Sequence, residues 1–328
     1  MRTQIAIIGA GPAGLVLAQL LAQQGIDSVV LENRSRDYVE RRVRAGVLEQ
    51  GSVDLLRTMG VAGRLDREGM VHHGIELRFD GAGHRIPLSD LTGGASIFVY
   101  GQQEVVKDLI KARLDGGGAI LFEAAAVGVD GALTNGPVVR YTHKGKPRQL
   151  ECDYVAGCDG FHGVSRGSIP ASALTVYDKE YPFAWLGILA AVPPSSEEVV
   201  YAYHERGFSL VSTRSPQIQR LYLQCPPDDA PGNWPDARIW EELHTRLAGA
   251  DGFRLAEGRI FQKSVIAMRS FVVEPMQHGR LFLAGVMPGL MLTALFMAWT
   301  IFIIWKRGFR SHAIDFRYSW KEKFKSIP

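Results

Sequence analysis

Cysteine is scarce in this chain, with three residues at Cys152, Cys158 and Cys225. An odd count without metal-type spacing excludes a disulfide-stapled fold and a thiolate metal site, and it suits a reducing compartment. Charge of one sign is missing too: 37 Lys/Arg stand against 34 Asp/Glu, a net +3. From Lys306 onward seven Lys/Arg face two Asp/Glu, which leaves residues 1–305 at −2. The body therefore gives no electrostatic case for nucleic acid as a partner. There is no internal repeat, no low-complexity linker and no signal peptide. Met1-Arg2-Thr3-Gln4 leads straight into a strand, so the body is expected in the cytoplasm.

What is present is ordinary globular material, 46% hydrophobic and 22% charged over 328 residues. That length suffices for two domains or one large two-layered one. Gln4–Ile8 is a short apolar run, followed by a glycine turn and a helical pattern (Leu15, Leu17, Ala18, Leu20, Leu21) ending at Gly25. Ser28–Leu31 then reads as a second strand, which completes a βαβ unit. Helices are expected over roughly 45–60 and 102–115, short strands with turns from about 118 to 157, and strand-like alternation between Leu174 and Cys225. Trp234 to Ala248 reads as one amphipathic helix. The fold class is α/β, a Rossmann-like nucleotide-binding layer with a β-rich second domain. The nucleotide layer is expected over 1–75 and 98–180 with a strand at 271–285, and the second domain over 76–97 and 181–270.

The glycines at the first turn read Gly9-x-Gly11-x-x-Gly14, and Glu32 lies eighteen residues beyond the last of them. The first glycine permits the tight turn, the second lets backbone approach a pyrophosphate, and the third allows close packing of helix on strand. The pyrophosphate sits at the helix N-terminus, where free N–H groups favour anions. Glu32 is expected to accept from ribose hydroxyls. A lone glycine pattern is weak, but here strand, helix and acidic residue are in register, so dinucleotide binding is the favoured reading over a merely structural turn.

A second motif, Cys158-Asp159-Gly160-Phe161-His162-Gly163-Val164-Ser165-Arg166, follows a strand directly. Alone, an Asp-Gly pair marks only a turn. Together with the fingerprint and three further strings, Arg42 to Gly51, Tyr181 to Gly187 and Arg269 to Arg280, the sequence resembles the single-component aromatic hydroxylases that use FAD, of the type acting on 4-hydroxybenzoate. The likeness runs over about residues 1–285.

The resemblance implies a set of residue roles. Gly9, Gly11, Gly14, Glu32, Arg42, Arg44, Gln102 and Asp159 correspond to positions that hold FAD, with Arg44 near the pyrophosphate, where a charged bidentate fork suits phosphate. Tyr201, Ser212, Arg214 and Tyr222 correspond to the substrate pocket, Arg214 pairing with a carboxylate and Tyr201 touching a phenol. Arg220 corresponds to an arginine that influences flavin position. His72 corresponds to the end of a proton relay to solvent, although beside His73 it also reads as half of a surface pair. Tyr38, Arg42, His162, Arg166 and Arg269 correspond to positions linked to NADPH, and the basic loop Asn33-Arg34-Ser35-Arg36 favours a 2′-phosphate as much as it reads as a solvated charge run. The implied chemistry is hydroxylation of an aromatic acid ortho to its phenol, with FAD and NADPH as cofactors and O₂ as co-substrate. The family forms homodimers.

The likeness stops after Leu281-Phe282-Leu283-Ala284-Gly285. Where the family places an aspartate on the ribityl chain of FAD this chain has Val286, and the loop and helices that follow in the family are missing, so activity is expected to be impaired. Val286–Trp305 contains twenty residues without a charge, long enough for a membrane span; the alternative, a buried core helix, fits a stretch apolar on every face less well. Residues 306–328 form a basic tail, and the segment from Met287 onward is similar to the large membrane subunit of tripartite dicarboxylate transporters. A body without a signal peptide and a basic tail both call for the cytoplasmic side, which one span cannot satisfy. The junction therefore reads as a fusion or assembly join; a reading of the source locus that reproduces Gly285-Val286 would count against an assembly error. Two other readings stay open: an inactive, membrane-anchored fragment, and a flavoprotein that binds FAD and oxidises NADPH without hydroxylating.

Overall fold

The computed structural model describes residues 1–285. The chain opens with β1 (Ile5–Ile8), α1 (Pro12–Gln23), β2 (Ser28–Leu31) and α2 (Arg36–Arg41). Next come β3 (Val47–Glu49), α3 (Gln50–Thr58), α4 (Gly63–Glu68), β4 (Met70–His72), β5 (Ile75–Phe79), β6 (Ala82–Ile86), α5 (Leu88–Leu91) and β7 (Ile97–Val99). Helix α6 (Gln102–Asp115) leads into β8 (Ala119–Leu121), β9 (Ala124–Asp130), β10 (Val138–His143), β11 (Lys146–Glu151), β12 (Tyr154–Gly157) and α7 (Val164–Gly167). The rest is β13 (Thr175–Ala191), β14 (Val199–Ala202), β15 (Ser209–Ser215), β16 (Ile218–Cys225), α8 (Asp236–Leu247), β17 (Arg259–Glu274), β18 (Gln277–His278) and β19 (Leu281–Leu283). One expected helix is shorter than its apolar pattern suggested: residues 47–49 of the 45–60 segment are strand β3, because Val47, Leu48 and Glu49 pair with β7.

The first sheet runs β18-β19-β12-β1-β2-β8, with β19, β12, β1, β2 and β8 parallel. All four residues of β1 are buried, as expected of a parallel strand covered on both faces. Ile5 and Ile7 point to a core shared with α1, α3 and α6, while Ala6 and Ile8 point to a second core under β9–β11. Each fully buried Leu or Ile side chain contributes about 1.5–3 kcal/mol of apolar stabilisation. Helix α1 begins at Pro12, which lacks only an N–H the first turn leaves unbonded. It stops at Gly25, whose φ of 69° lets the Ile26 N–H donate back to the Leu21 carbonyl and the Gly25 N–H to that of Ala22.

The second large sheet has seven strands, β17-β13-β16-β15-β14-β5-β6. Its covered face packs on α8 through Leu186, Ile188, Val211, Leu221 and Leu223 against Ile239, Trp240 and Leu243. β13 and β17 are long enough to run out of this sheet, and at their far ends Phe271 and Val273 join the core of the first. Their ladder shifts register twice along the way, narrowly where Phe261 is skipped between the partners of Leu189 and Ala190, and more widely where Tyr181, Pro182 and Phe183 stand opposite the single residue Met268. Of the four expected domain boundaries, 180/181 and 270/271 fall within these two strands, 75/76 within β5 and 97/98 within β7.

The uncharged segment 286–305, the basic tail 306–328 and Val286 itself lie outside the described residues. Among the described residues no helix is long and apolar enough to cross a membrane.

Candidate functional site

The parallel strands end in register. Ile8 pairs with Leu31 on one side and Gly157 on the other, and Gly157 pairs with Leu283. The residues just past those ends are Gly9, Glu32, Cys158-Asp159 and Ala284, so four chain segments meet along one edge. β1 lies between β2 and β12, which are reached by connections leaving in opposite directions; this is the crevice where open α/β sheets take ligands.

Three glycines shape the crevice for different reasons. Gly9 has φ 105°, and a Cβ there would stand 2.5 Å from the Cys158 carbonyl oxygen. A Cβ on Gly14 would overlap the Gly9 carbonyl, so α1 rests directly on the turn. At Gly11 the backbone is extended and nothing lies within 4 Å of a built Cβ. The protein itself does not need a glycine there; an anion drawn up to the N-terminus of α1 would. The residues present thus fit the diphosphate of a dinucleotide such as FAD.

Glu32 is buried, and its carboxylate is engaged by the chain itself: Oε2 accepts from the Ala10 N–H at 2.8 Å and Oε1 from the Arg34 N–H at 2.8 Å. The expected ribose acceptor therefore also pins the glycine loop to the end of β2, and its two oxygens retain lone pairs for hydroxyl donors. Asp159 plays a comparable part, accepting through Oδ2 from the Ser165 N–H at 2.9 Å and the Ser165 hydroxyl at 3.0 Å. Burial pushes its carboxyl up, against the pull of those bonds. Gln102 opens α6, and its N–H donates to the Ala45 carbonyl at 2.9 Å. Arg42 and Arg44 lie on the exposed loop before β3.

The four residues expected around a substrate, and Arg220, expected to influence the flavin, share one sheet face. Residues opposite one another in an antiparallel ladder project to the same side. Tyr201 pairs with Leu210, Leu210 with Tyr222, Ser212 with Arg220, and Tyr222 with Gly187. β16 alternates between half-buried (Arg220, Tyr222) and buried (Leu221, Leu223), so this is the face away from α8. The Arg220 guanidinium lies over the Tyr222 ring at 4.9 Å, and its Nε is buried without a hydrogen-bond partner among the described residues. Ser212 donates to the Arg220 carbonyl at 3.3 Å. Arg214 crosses to the first layer, where Nη1 donates to the Ala45 carbonyl at 3.2 Å and Nη2 to Gln103 Oε1 at 2.6 Å. Burial, and then the neighbouring Arg220, lower its pKa. Burial raises that of Tyr201.

His72 departs from the surface-pair alternative: it is 3% exposed, whereas His73 is exposed. Its Nδ1 has no hydrogen-bond partner among the described residues and stands 3.7 Å from Glu198 Oε2. Glu198 is held by Arg85 at 2.7 Å and by the Gly74 N–H at 2.9 Å. Burial depresses the His72 pKa, with Glu198 opposing. The five residues expected near NADPH fall into two groups. Arg166 and Arg269 sit over the Phe161 ring at 5.3 and 4.9 Å, with His162 edge-on to it. Arg269 is also paired with Asp178. Tyr38, 44% exposed, is faced by Arg34 and Arg42 at 5.2 and 5.7 Å. Gln103, the Ala45 carbonyl and Glu198 were not expected from the sequence; only the doubled Gln102-Gln103 at a helix start hinted at the first. Among the described residues no group of three or more His, Cys, Asp or Glu is arranged to hold a metal ion.

Residues 2–285 match the family described as FAD binding domain. Over 285 residues the chain is 48% identical to p-hydroxybenzoate hydroxylase of Acinetobacter baylyi, a match spanning 87% of this chain and 70% of that protein. It is 31% identical over 180 residues to a 3-amino-4-hydroxybenzoate 2-monooxygenase of Streptomyces cremeus, covering 52% of this chain and 43% of that one. Among solved structures, p-nitrophenol 4-monooxygenase from Pseudomonas putida superposes with a TM-score of 0.81 at 17% identity, over 94% of this chain and 82% of that chain. Aklavinone-11 hydroxylase, solved with FAD and aklavinone, gives 0.70 at 20% identity, over 93% and 63%. At such identities the two structures speak to the fold alone.

Proposed function

The chain belongs to the FAD-binding family of flavin-dependent aromatic monooxygenases, and from that premise we propose that it hydroxylates 4-hydroxybenzoate ortho to the phenol, with NADPH as reductant. The observation that carries the proposal is the shared sheet face of Tyr201, Ser212, Arg214, Arg220 and Tyr222, on which Arg214 meets only neutral oxygens through its hydrogen bonds. A guanidinium so placed keeps its charge available for a carboxylate, and its planar fork suits bidentate pairing. The 48% identity to p-hydroxybenzoate hydroxylase supports the same substrate.

In this reading Arg214 anchors the ring acid, with Ser212 and Tyr222 adding hydrogen bonds. Tyr201 meets the phenol; because burial keeps its own hydroxyl protonated, it passes the substrate proton along through Oη and is not itself the base. His72, neutral near pH 7 because it is buried, accepts that proton on its way out. Glu198, 3.7 Å from His72, immediately precedes β14, the strand that carries Tyr201, whereas His72 itself ends β4. FAD, when bound, supplies the redox chemistry with O₂ and NADPH. Gly9, Gly11 and Gly14 shape its diphosphate site, with Glu32, Arg42, Arg44, Gln102 and Asp159 around it. Arg166, Arg269 and His162 about Phe161, together with Tyr38 and Arg42, are assigned to NADPH.

The test is the purified full-length chain supplied with FAD, NADPH and 4-hydroxybenzoate. A flavin absorption band together with formation of 3,4-dihydroxybenzoate, at a rate impaired by Val286 and the missing loop, is the expected result. Substrate-independent NADPH oxidation that releases only peroxide would replace this reading with that of a non-hydroxylating flavoprotein.

A further inference from the structure

Gln103 is not among the residues that the family likeness singles out, yet it makes the shortest hydrogen bond to Arg214, at 2.6 Å. The bond joins β15 to the first turn of α6 across 111 positions of sequence. The Ala45 carbonyl takes the other arm of the fork at 3.2 Å while also accepting from the Gln102 N–H. The space is fitted to the guanidinium: a Cβ on Gly46 would collide with Nη1, and one on Gly101 would stand 2.9 Å from Nη2. Of the three buried arginines among the described residues, Arg78 is met by Asp251 and Glu76 and Arg246 by Glu242, while Arg113 donates to the Ser28 carbonyl and hydroxyl. Half-buried Arg214 also has two neutral acceptors, and a second cation, Arg220, stands beside it on the sheet.

We propose that Gln103 is a positioning residue that sets ligand charge preference: its amide oxygen fixes the direction of the Arg214 fork without cancelling its charge. A carboxylate in the same place would orient the fork equally well and remove the reason for an anionic ligand to bind. Gln103 therefore selects aromatic acids over their neutral counterparts. The inference rests on the reading of Arg214 as the partner of the substrate carboxylate.

Gln103→Glu is the decisive variant, since it is isosteric and an acidic residue in the first turn of a helix is well tolerated. Binding of 4-hydroxybenzoate and of the neutral 4-hydroxybenzamide is measured by calorimetry on the full-length, FAD-supplied protein, with Arg214→Ala and Gln103→Ala alongside. The expected result for Gln103→Glu is a loss of acid affinity of roughly 30-fold or more, with amide affinity changed less than about threefold. Gln103→Ala should weaken the acid by a smaller factor, about 3- to 10-fold, through lost orientation. If Arg214→Ala abolishes the preference for acid over amide while Gln103→Glu retains it, the inference about Gln103 is overturned and the reading of Arg214 survives. If Arg214→Ala itself keeps the preference, or the unmutated protein has none, the underlying reading fails.

Discussion

Gly11→Ala should leave the flavin-free fold untouched and remove the flavin. At φ −77° and ψ 177° the Gly11 backbone is open to any residue, and a methyl there would have no protein atom within 4 Å. Restricting the unfolded chain stabilises by about 0.4–1 kcal/mol. Losing glycine at an N-cap costs a comparable few tenths to about 1 kcal/mol, so the two should cancel to within about 0.5 kcal/mol. Gly9→Ala is the contrast. Its Cβ would stand 2.5 Å from the Cys158 carbonyl oxygen, short of the 3.4 Å where ordinary contact begins, so β1 and β12 must part by about 0.9 Å. Strain at φ 105° adds about 1–3 kcal/mol and overpacking about 1–3 kcal/mol, together about 2–6 kcal/mol. At about 2–4 °C per kcal/mol, Tm should fall by on the order of 10 °C. In the Gly11 variant the methyl occupies the approach of the diphosphate, and FAD affinity should drop at least tenfold, about 1.4 kcal/mol. Thermal unfolding of the flavin-free proteins by circular dichroism and titration with FAD by fluorescence quenching read the two effects separately. Wild-type FAD affinity in Gly11→Ala, or a loss of apo stability equal to that of Gly9→Ala, would refute the reasoning.

Two further expectations concern buried titratable groups. Because burial holds His72 below its ordinary 6.5, the unfolded chain takes up the proton first, and the contribution of neutral His72 to stability is full above 6.5 and lost as pH falls through that window. His72→Gln should flatten the denaturation-midpoint profile as pH falls below about 6.5, and an unchanged slope would sink the assignment. Cys152, pushed up to about 12 by burial, and the buried Cys158 and Cys225, both also raised, should all resist a thiol reagent in the native protein and react once it is denatured. Rapid labelling of the native chain would contradict the burial on which this rests.

The nucleotide layer was legible because its signals are local. Strand, glycine turn and helix lie within thirty residues, and apolar runs such as Ile5–Ile8 report a strand covered on both sides. The face that carries Tyr201, Ser212 and Tyr222 was legible only as a pattern of family positions, since its geometry depends on ladder register between β14, β15 and β16, which spacing alone does not give. His72 shows the limit well. On β4 it is buried while its neighbour His73, just past the strand end, is exposed, because adjacent strand residues point to opposite faces; composition makes them look like a pair. Gln103 was illegible for a plainer reason: its partner is 111 residues away, and no local pattern announces it. The short strands β3 to β7 and helices α4 and α5 were missed because three- to six-residue elements carry too little periodicity to read.

The wider of the two lapses in the β13–β17 ladder carries a mechanical consequence. On one side of Tyr181-Pro182-Phe183 the ribbon is part of the seven-stranded sheet, and on the other its residues Phe271 and Val273 are embedded in the core of the six-stranded one. Paired strands resist bending wherever the ladder is continuous, and Pro182 has no N–H with which to restore it. Any tilt of one sheet relative to the other would therefore concentrate at this fulcrum, some forty residues in sequence before Tyr222, so that the lever arm ends on the face that carries Arg214.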